Sequence, residues 1–429
     1  MKRFSLPILL SLLALSGCSS KDSTPTISCD DRAKVGGNCP GVTDDAVSTD
    51  GIACTTKVDV TPADLVSKAS SPAGTCLVLG GGSYPAVTLA PGVSLIGKGS
   101  GSTAIEGITT KGAAAATIRG VKVGAGGIVV SGAGTLNIDK VLVSGATTYG
   151  IAATGTTLNV TASTIDHTGS FGLFSLCKAD CLPSRTKLTL DRVFVHQAKL
   201  VGVWVHGGVD VTIDGVQIDK TAAGSFLYGR GLEIAEGATV DGKRLAVVDN
   251  VDVGIFVDGG SVKLTSFTAS RNVRGVQLQA IPEGGGKLED FAVIDNQALG
   301  IGIANGSKGL IVQGGLVAST KAYNVPVDIG GIQNVGDGIN WLGGSEVTIA
   351  SSVKIEGSAR RPVIIDASSK GKFEGTLSGG DETTGLIVQG GLEASMPSGL
   401  SVASGVKTDV LTKDKSMPVA VAVAMMKAP

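Results

Sequence analysis

Residues 202–219 read GVWVHGGVDVTIDGVQID. Three short runs lie inside this stretch: GVWV from Gly202, DVTI from Asp210 and GVQID from Gly215. Each alternates apolar with polar or small residues, the period of a half-buried strand. Glycine and aspartate separate the runs, as turns require. The unit recurs along the chain. Its opening tetrad returns as GIVV at Gly127, GIAA at Gly150, GLFS at Gly172, GLEI at Gly231, GIFV at Gly254, GVQL at Gly275 and GIGI at Gly300. The spacings, 23, 22, 30, 29, 23, 21 and 25 residues, are too tight for strands joined by crossover helices. The two longest hold extra residues around 177–185 and 221–230. Three strands per repeat, stacked on themselves, predict an all-β, single-stranded, right-handed parallel β-helix. Roughly thirteen coils over residues 77–395 would make a rod of about 60 Å.

An open coil needs a cover at each end. Thr61 followed by Pro62 reads as a helix start, so a short amphipathic capping helix is expected near 61–70, through Leu65, Val66 and Ala69. After it, residues 76–107 read CLVLGGGSYPAVTLAPGVSLIGKGSGSTAIEG. This resembles the opening coils of the pectin-lyase-like superfamily, and the resemblance implies the same β-helix. The β-helix with its cap is placed at 57–395. Residues 396–429 are read as a tail or second cap. Their apolar run, PVAVAVAMM at 418–426, is too short to span a membrane and reads as a strand or cover.

The beginning of the chain, MKRFSLPILLSLLALSGCSS, has a basic start, a short apolar stretch and small residues before Cys18. It resembles the lipobox of bacterial lipoproteins. The resemblance implies a signal peptide over 1–17, acylation of Cys18 and a membrane partner reached through the lipid. Ser19 in place of aspartate favours the outer membrane or cell surface of a Gram-negative envelope. Residues 18–56 are rich in Ser, Thr, Asp and Gly and read as a tether.

Export also bears on the other six cysteines. An even number in an oxidising compartment suggests three disulfides. Cys177 and Cys181 share one short loop and are expected to pair locally. Cys29, Cys39, Cys54 and Cys76 allow three pairings that spacing does not separate. A lone CxxxC is poor zinc spacing, so no cofactor is expected, and calcium enters only if the protein is lyase-like.

Composition sets limits. Of 429 residues 64 are glycine, yet no Gly-X-Y period occurs, which excludes collagen. Lys and Arg number 36 against 37 Asp and Glu, with no basic block, so nucleic acid is not an expected partner. Apolar residues reach 42%, enough for a buried core, while aromatics are only 3%, a thin supply for sugar stacking.

The superfamily includes lyases, hydrolases, esterases and adhesins, so fold alone does not choose a function. The enzyme motifs are incomplete. Ile165-Asp166-His167 resembles part of a pectate lyase motif but has Thr164 at the tryptophan position. Arg360-Arg361-Pro362 has half of the partner motif, with Ile365 where its second arginine belongs. Alignment of the third strands, with Val248 and Ile294 taken as inward, gives two outward columns. One holds Asp166, His196, Asp219 and Asp249; the other holds His167, Lys220, Asn250, Arg271 and Asn296. Stacked ionisable groups of this kind perturb one another and suit ligand binding or proton transfer. Asp and Asn at strand ends also serve turns as plain polar ladders. Trp204 should face outward, where it could stack on a sugar, beside Glu233, Phe256 and Gln277. His206 reads as an ordinary surface histidine. The leading expectation is a lipid-anchored, non-enzymatic rod for adhesion, binding or envelope structure. The alternative is a polysaccharide lyase or glycoside hydrolase acting in a groove near Asp166–Arg271.

Overall fold

Apart from one antiparallel pair, Tyr323–Pro326 with Ile332–Val335, the described strands build three parallel sheets in which strands pair with their counterparts one coil away. Val201–Gly207 lies between Phe171–Cys177 and Arg230–Ala235, with Val203 opposite Leu173 and Leu232. These tetrad strands form the first sheet. The DVTI-type strands form the second, and the runs ending at Ser144, Asp166, His196 and Asp219 form the third. The computed structural model describes residues 48–112, 114–177, 185–224, 228–326, 332–378 and 385–419. Within them the chain makes a parallel β-helix of about 14 coils with almost no helix, as the repeat predicted.

The alternation explains the core. Val203, Val205, Leu232 and Ile234 point inward from the first sheet, Leu188, Leu190, Val211 and Ile213 from the second, and Ile165, Val195, Ile218 and Val247 from the third. Residues of one type stack coil upon coil, so every apolar side chain meets a neighbour of similar shape. The glycine that opens each tetrad is required by space. A Cβ on Gly202 would strike Ile218 and the Gly231 carbonyl, and one on Gly231 would strike Val247.

The third sheet turns into the first through a left-handed residue. Gly145, His167, Gln197, Lys220, Asp249, Arg271, Asp295, Ser319 and Gly357 occupy this corner with φ between 52° and 73°. The next residue is buried and polar in several coils. Asn250, Asn272 and Asn296 form a ladder in which each side-chain carbonyl accepts from the backbone N–H of the preceding coil, at 3.0 Å for Thr221, Asn250 and Asn272. The ladder satisfies amides that the turn would otherwise strand in the interior.

The beginning of the solenoid is stapled. Thr56–Val60 pairs with Thr75–Leu79, and a disulfide joins Cys54 to Cys76, one of the three arrangements that spacing allowed. Cys29 and Cys39 lie outside the described residues. Cys177 is buried at a strand end, but Cys181 is outside the description, so their expected pairing falls there too. The capping helix is shorter than expected, Leu65–Lys68. Thr61 does not cap it; its hydroxyl donates to Asp64, which holds the N-cap position. Leu65 and Ala69 are buried while Val66 is 60% exposed. At the other end, coils continue past the expected boundary at 395. Leu400–Val402 pairs with Lys370–Phe373, and Thr408–Thr412 with Leu386–Gly391. GLSV at Gly399 has the tetrad pattern, so a trace of the period extends past that boundary. Residues 420–429, most of the expected tail strand, are outside the description.

Candidate functional site

Ser144, Asp166, His196 and Asp219 stand in register at the outward end of the third sheet. The expected fourth member of the column, Asp249, does not join them. Val248 pairs with Asp219, and Asp249 falls one position later, at the left-handed corner with Lys220 and Arg271. The cause is the doublet Val247-Val248. Two adjacent valines leave alternation ambiguous, and packing places Val247 in the core. The doublet Val293-Ile294 shifts Asp295 in the same way. Asn250 and Asn296 consequently move from the surface column to the buried ladder.

What the register does assemble is two Asp–His pairs on adjacent coils. His196 Nδ1 lies 2.5 Å from Asp219 Oδ1. Gln217 Nε2 donates to Asp219 Oδ2 at 2.9 Å, so both carboxylate oxygens are engaged. His167 Nδ1 lies 2.6 Å from Asp166 Oδ1, an ion-pair contact lacking hydrogen-bond geometry. The two imidazoles meet edge-on, with ring centroids 5.8 Å apart, and Phe194 backs His196 at 5.3 Å. Asp166 and Asp219 are buried, whereas the His167 side chain is 51% exposed and that of His196 13%. A buried carboxylate on Nδ1 orients the ring and leaves Nε2 for proton exchange. Lys220, at the corner beside Asp219, is exposed. Gln217 escaped the sequence reading, although it lies two residues before Asp219 and so shares its outward face.

Asp249 and Arg271 engage each other instead. The guanidinium makes a two-pronged contact, Nε to Oδ1 at 2.7 Å and Nη2 to Oδ2 at 2.8 Å. Among the described residues no group of three or more His, Cys, Asp or Glu side chains is arranged to hold a metal ion.

Trp204 does point out of the core, in register with Phe174, Glu233, Phe256 and Gln277. It is nevertheless fully buried, so it is no open sugar platform. Its ring stacks on Phe174 at 4.8 Å and on His206 at 4.8 Å, and Nε1 donates to Glu233 at 3.2 Å. Arg230 donates to the other Glu233 oxygen at 3.0 Å and lies 4.0 Å over the Phe256 ring. Burial pushes the Glu233 carboxyl above its ordinary range, against the pull of Arg230. His206 is buried as well, and desolvation lowers its pKa despite Glu236 at 3.2 Å. The surface assignment for His206 therefore does not hold. Its side chain leaves the strand outward, but that face is covered.

No family model matches the chain, and no curated protein matches it. Solved structures do. The catalytic unit of a thermostable GH87 α-1,3-glucanase from Streptomyces thermodiastaticus strain HF3-3 matches with TM-score 0.47 at 10% identity, over 88% of this chain and 73% of that one. The periplasmic alginate epimerase AlgG matches with TM-score 0.38 at 12% identity, over 83% of each chain. A mannuronic-acid-specific polysaccharide family 6 lyase from human gut microbiota matches with TM-score 0.30 at 12% identity, over 84% and 92%.

Proposed function

We propose that the protein acts on an acidic polysaccharide at the two Asp–His pairs of the third sheet. One observation carries the reading: two histidines on adjacent coils each have Nδ1 against a buried carboxylate, and their rings reach the surface. Such a pair divides the work of base and acid. In an elimination, His196 Nε2 would take the proton from the sugar carbon next to the carboxylate. The electron pair forms the new C=C bond, the glycosidic C–O bond breaks, and His167 would protonate the leaving oxygen. The Lys220 ammonium would offset charge gathering on the substrate carboxylate. The test is incubation with oligouronides, read by ultraviolet absorbance of unsaturated ends and by reducing ends. Unsaturated product lost in His196→Ala supports the reading. No turnover or binding across a broad set of acidic glycans sinks it.

A non-enzymatic rod is the second reading, and one observation favours it. Several charges on the coils pair with one another, as Asp249 does with Arg271, Asp214 with Arg244 and Asp210 with Arg185. In either case we propose export and lipid anchoring through Cys18 at the cell envelope, from the lipobox resemblance. Labelling with a fatty-acid analogue should mark the native chain and not Cys18→Ala; equal labelling refutes the anchor.

A further inference from the structure

The outward face of the third sheet does not end at Asp166. Two coils earlier it opens into a recess of about 320 Å³ lined by Ser83, Tyr84, Ile105, Glu106, Lys122 and Gly124. Register places this recess in line with the Asp–His pairs. Lys122 pairs with Leu142, and Ala104 and Ser83 continue that column. Val123 pairs with Val143, so Gly124 stands one step before Ser144, which pairs with Asp166 and through it with His196. Tyr84, Ile105 and Val123 belong to the core, so Ser83, Glu106, Lys122 and Gly124 leave their strands outward.

The Tyr84 hydroxyl is engaged inside, donating to the Val60 carbonyl at 3.1 Å. That leaves Lys122 and Glu106 as the charged groups of the recess, and they share it without meeting. Among the described residues neither has an ion-pair partner, whereas Arg119, three residues before Lys122, holds Asp139 at 2.8 Å. A cation and a carboxylate held apart on adjacent coils suit a sugar acid. The ammonium takes the ligand's carboxylate, and Glu106 accepts from its hydroxyl groups. The way to the reacting groups is open. Gly124 has no side chain, Ser144 has a short, half-buried one, and the His167 side chain beyond is 51% exposed. In the opposite direction the same face closes, because Ala246 and Val248, paired with Gln217 and Asp219, are 0% and 1% exposed.

We propose that this recess is a uronate subsite of the same site, an inference that rests on the elimination proposed above. The polysaccharide lies along the rod on the third sheet. Lys122 holds the carboxylate of the third sugar from the broken bond, on the side of the leaving oxygen. Coils step about 4.8 Å, close to the length of one sugar residue, so Lys122 stands about 10 Å from the coil of Asp166 and about 19 Å from that of Lys220. His167 serves the leaving oxygen, so the two sugars between Lys122 and the broken bond lie over Ser144 and Asp166. The sugar that loses its proton lies over His196, with its carboxylate toward Lys220. A uronide of about four residues therefore reaches from Lys122 to Lys220.

The test compares uronide trimers with hexamers on four proteins: the native chain, Lys122→Gln, Lys122→Arg and Lys354→Ala. The last is a control on the same sheet, beyond Val248. Lys122→Gln keeps most of the stem and deletes the charge. It should raise KM for hexamers about tenfold or more, as for a lost charge-assisted contact, with kcat kept. Lys122→Arg keeps the charge and should stay close to the native KM. Trimers fill only the places from Ser144 to Lys220, so all four proteins should turn them over alike. An equal loss for trimers and hexamers, or none for hexamers, overturns the subsite while the reaction stands. Calorimetry with hexamers separates the two readings. Binding that Lys122→Gln weakens and Lys354→Ala leaves alone, with no unsaturated product, supports the recess and sinks the reaction. No binding by the native chain overturns both.

Discussion

His196 and Asp219, on adjacent coils, meet at 2.5 Å between Nδ1 and Oδ1, and Gln217 holds the other oxygen of Asp219 at 2.9 Å. The carboxylate thus has a donor on each side, and only an acceptor at both oxygens suits the arrangement. Asp219→Asn keeps the shape but turns one oxygen into an NH2 group facing a donor. It should cost about 1–3 kcal/mol of stability, as for a buried hydrogen bond made unsatisfied. Product formation from oligouronides should fall by about 100-fold or more, because the imidazole loses the partner that orients it. Thermal melts and product assays on the same preparation check both. Full activity in Asp219→Asn would remove the pair from the mechanism.

The asparagine ladder is a matter of stability rather than chemistry. Asn272 Oδ1 accepts from the Asn250 backbone and side chain, at 3.0 and 2.9 Å, while its Nδ2 donates to the Val247 carbonyl at 3.1 Å. Asn272→Ala strands a buried backbone N–H and a carbonyl together. A loss of about 2–4 kcal/mol is expected, measured by denaturant unfolding. Activity per folded molecule should stay unchanged, since Asn272 faces the interior.

His206 has a signature in pH. Burial lowers its pKa below the ordinary 6.5, so the folded state holds fewer protons there than the unfolded chain. Its contribution is complete above 6.5 and is lost as pH falls through the lowered folded value. Glu233 and Asp337 are shifted upward by burial, and their effect has the opposite sign: stability rises as pH falls through their folded values. The difference between native chain and His206→Gln isolates the histidine. The native chain should weaken relative to the variant as pH drops from neutral to mildly acid. Parallel stability curves would contradict the shift.

The Cys54–Cys76 bridge ties the first strand to the coil it covers, across a sequence separation of 22. Reduction, or Cys54→Ser, should cost about 3 kcal/mol by the loop-entropy relation. Hydrogen exchange should then quicken in Thr56–Val60 before it quickens elsewhere, because among the described residues that strand pairs on one side only, with Thr75–Leu79. Uniform exchange across the rod would argue against a local staple.

The solenoid is legible from the amino-acid sequence alone, because a parallel β-helix repeats one local rule. Period-two runs, glycine where Gly202 and Gly231 have no room for a side chain, and polar residues at the corners recur at near-constant spacing, so the fold can be read from Gly127 to Gly300. The same reading aligns Asp166, His196 and Asp219, whose strands alternate without ambiguity. Other features emerge only when the coils pack. At Val247-Val248 either valine could face inward by pattern, and packing selects Val247, which moves Asp249 out of the acid row and Asn250 into the interior. At Trp204 the direction is legible but the burial is not. Alternation says which way a side chain leaves its own strand, whereas burial depends on what packs against it there: Phe174 and His206 stack on Trp204, and Glu233 accepts from its indole, contacts made only once the coils are stacked.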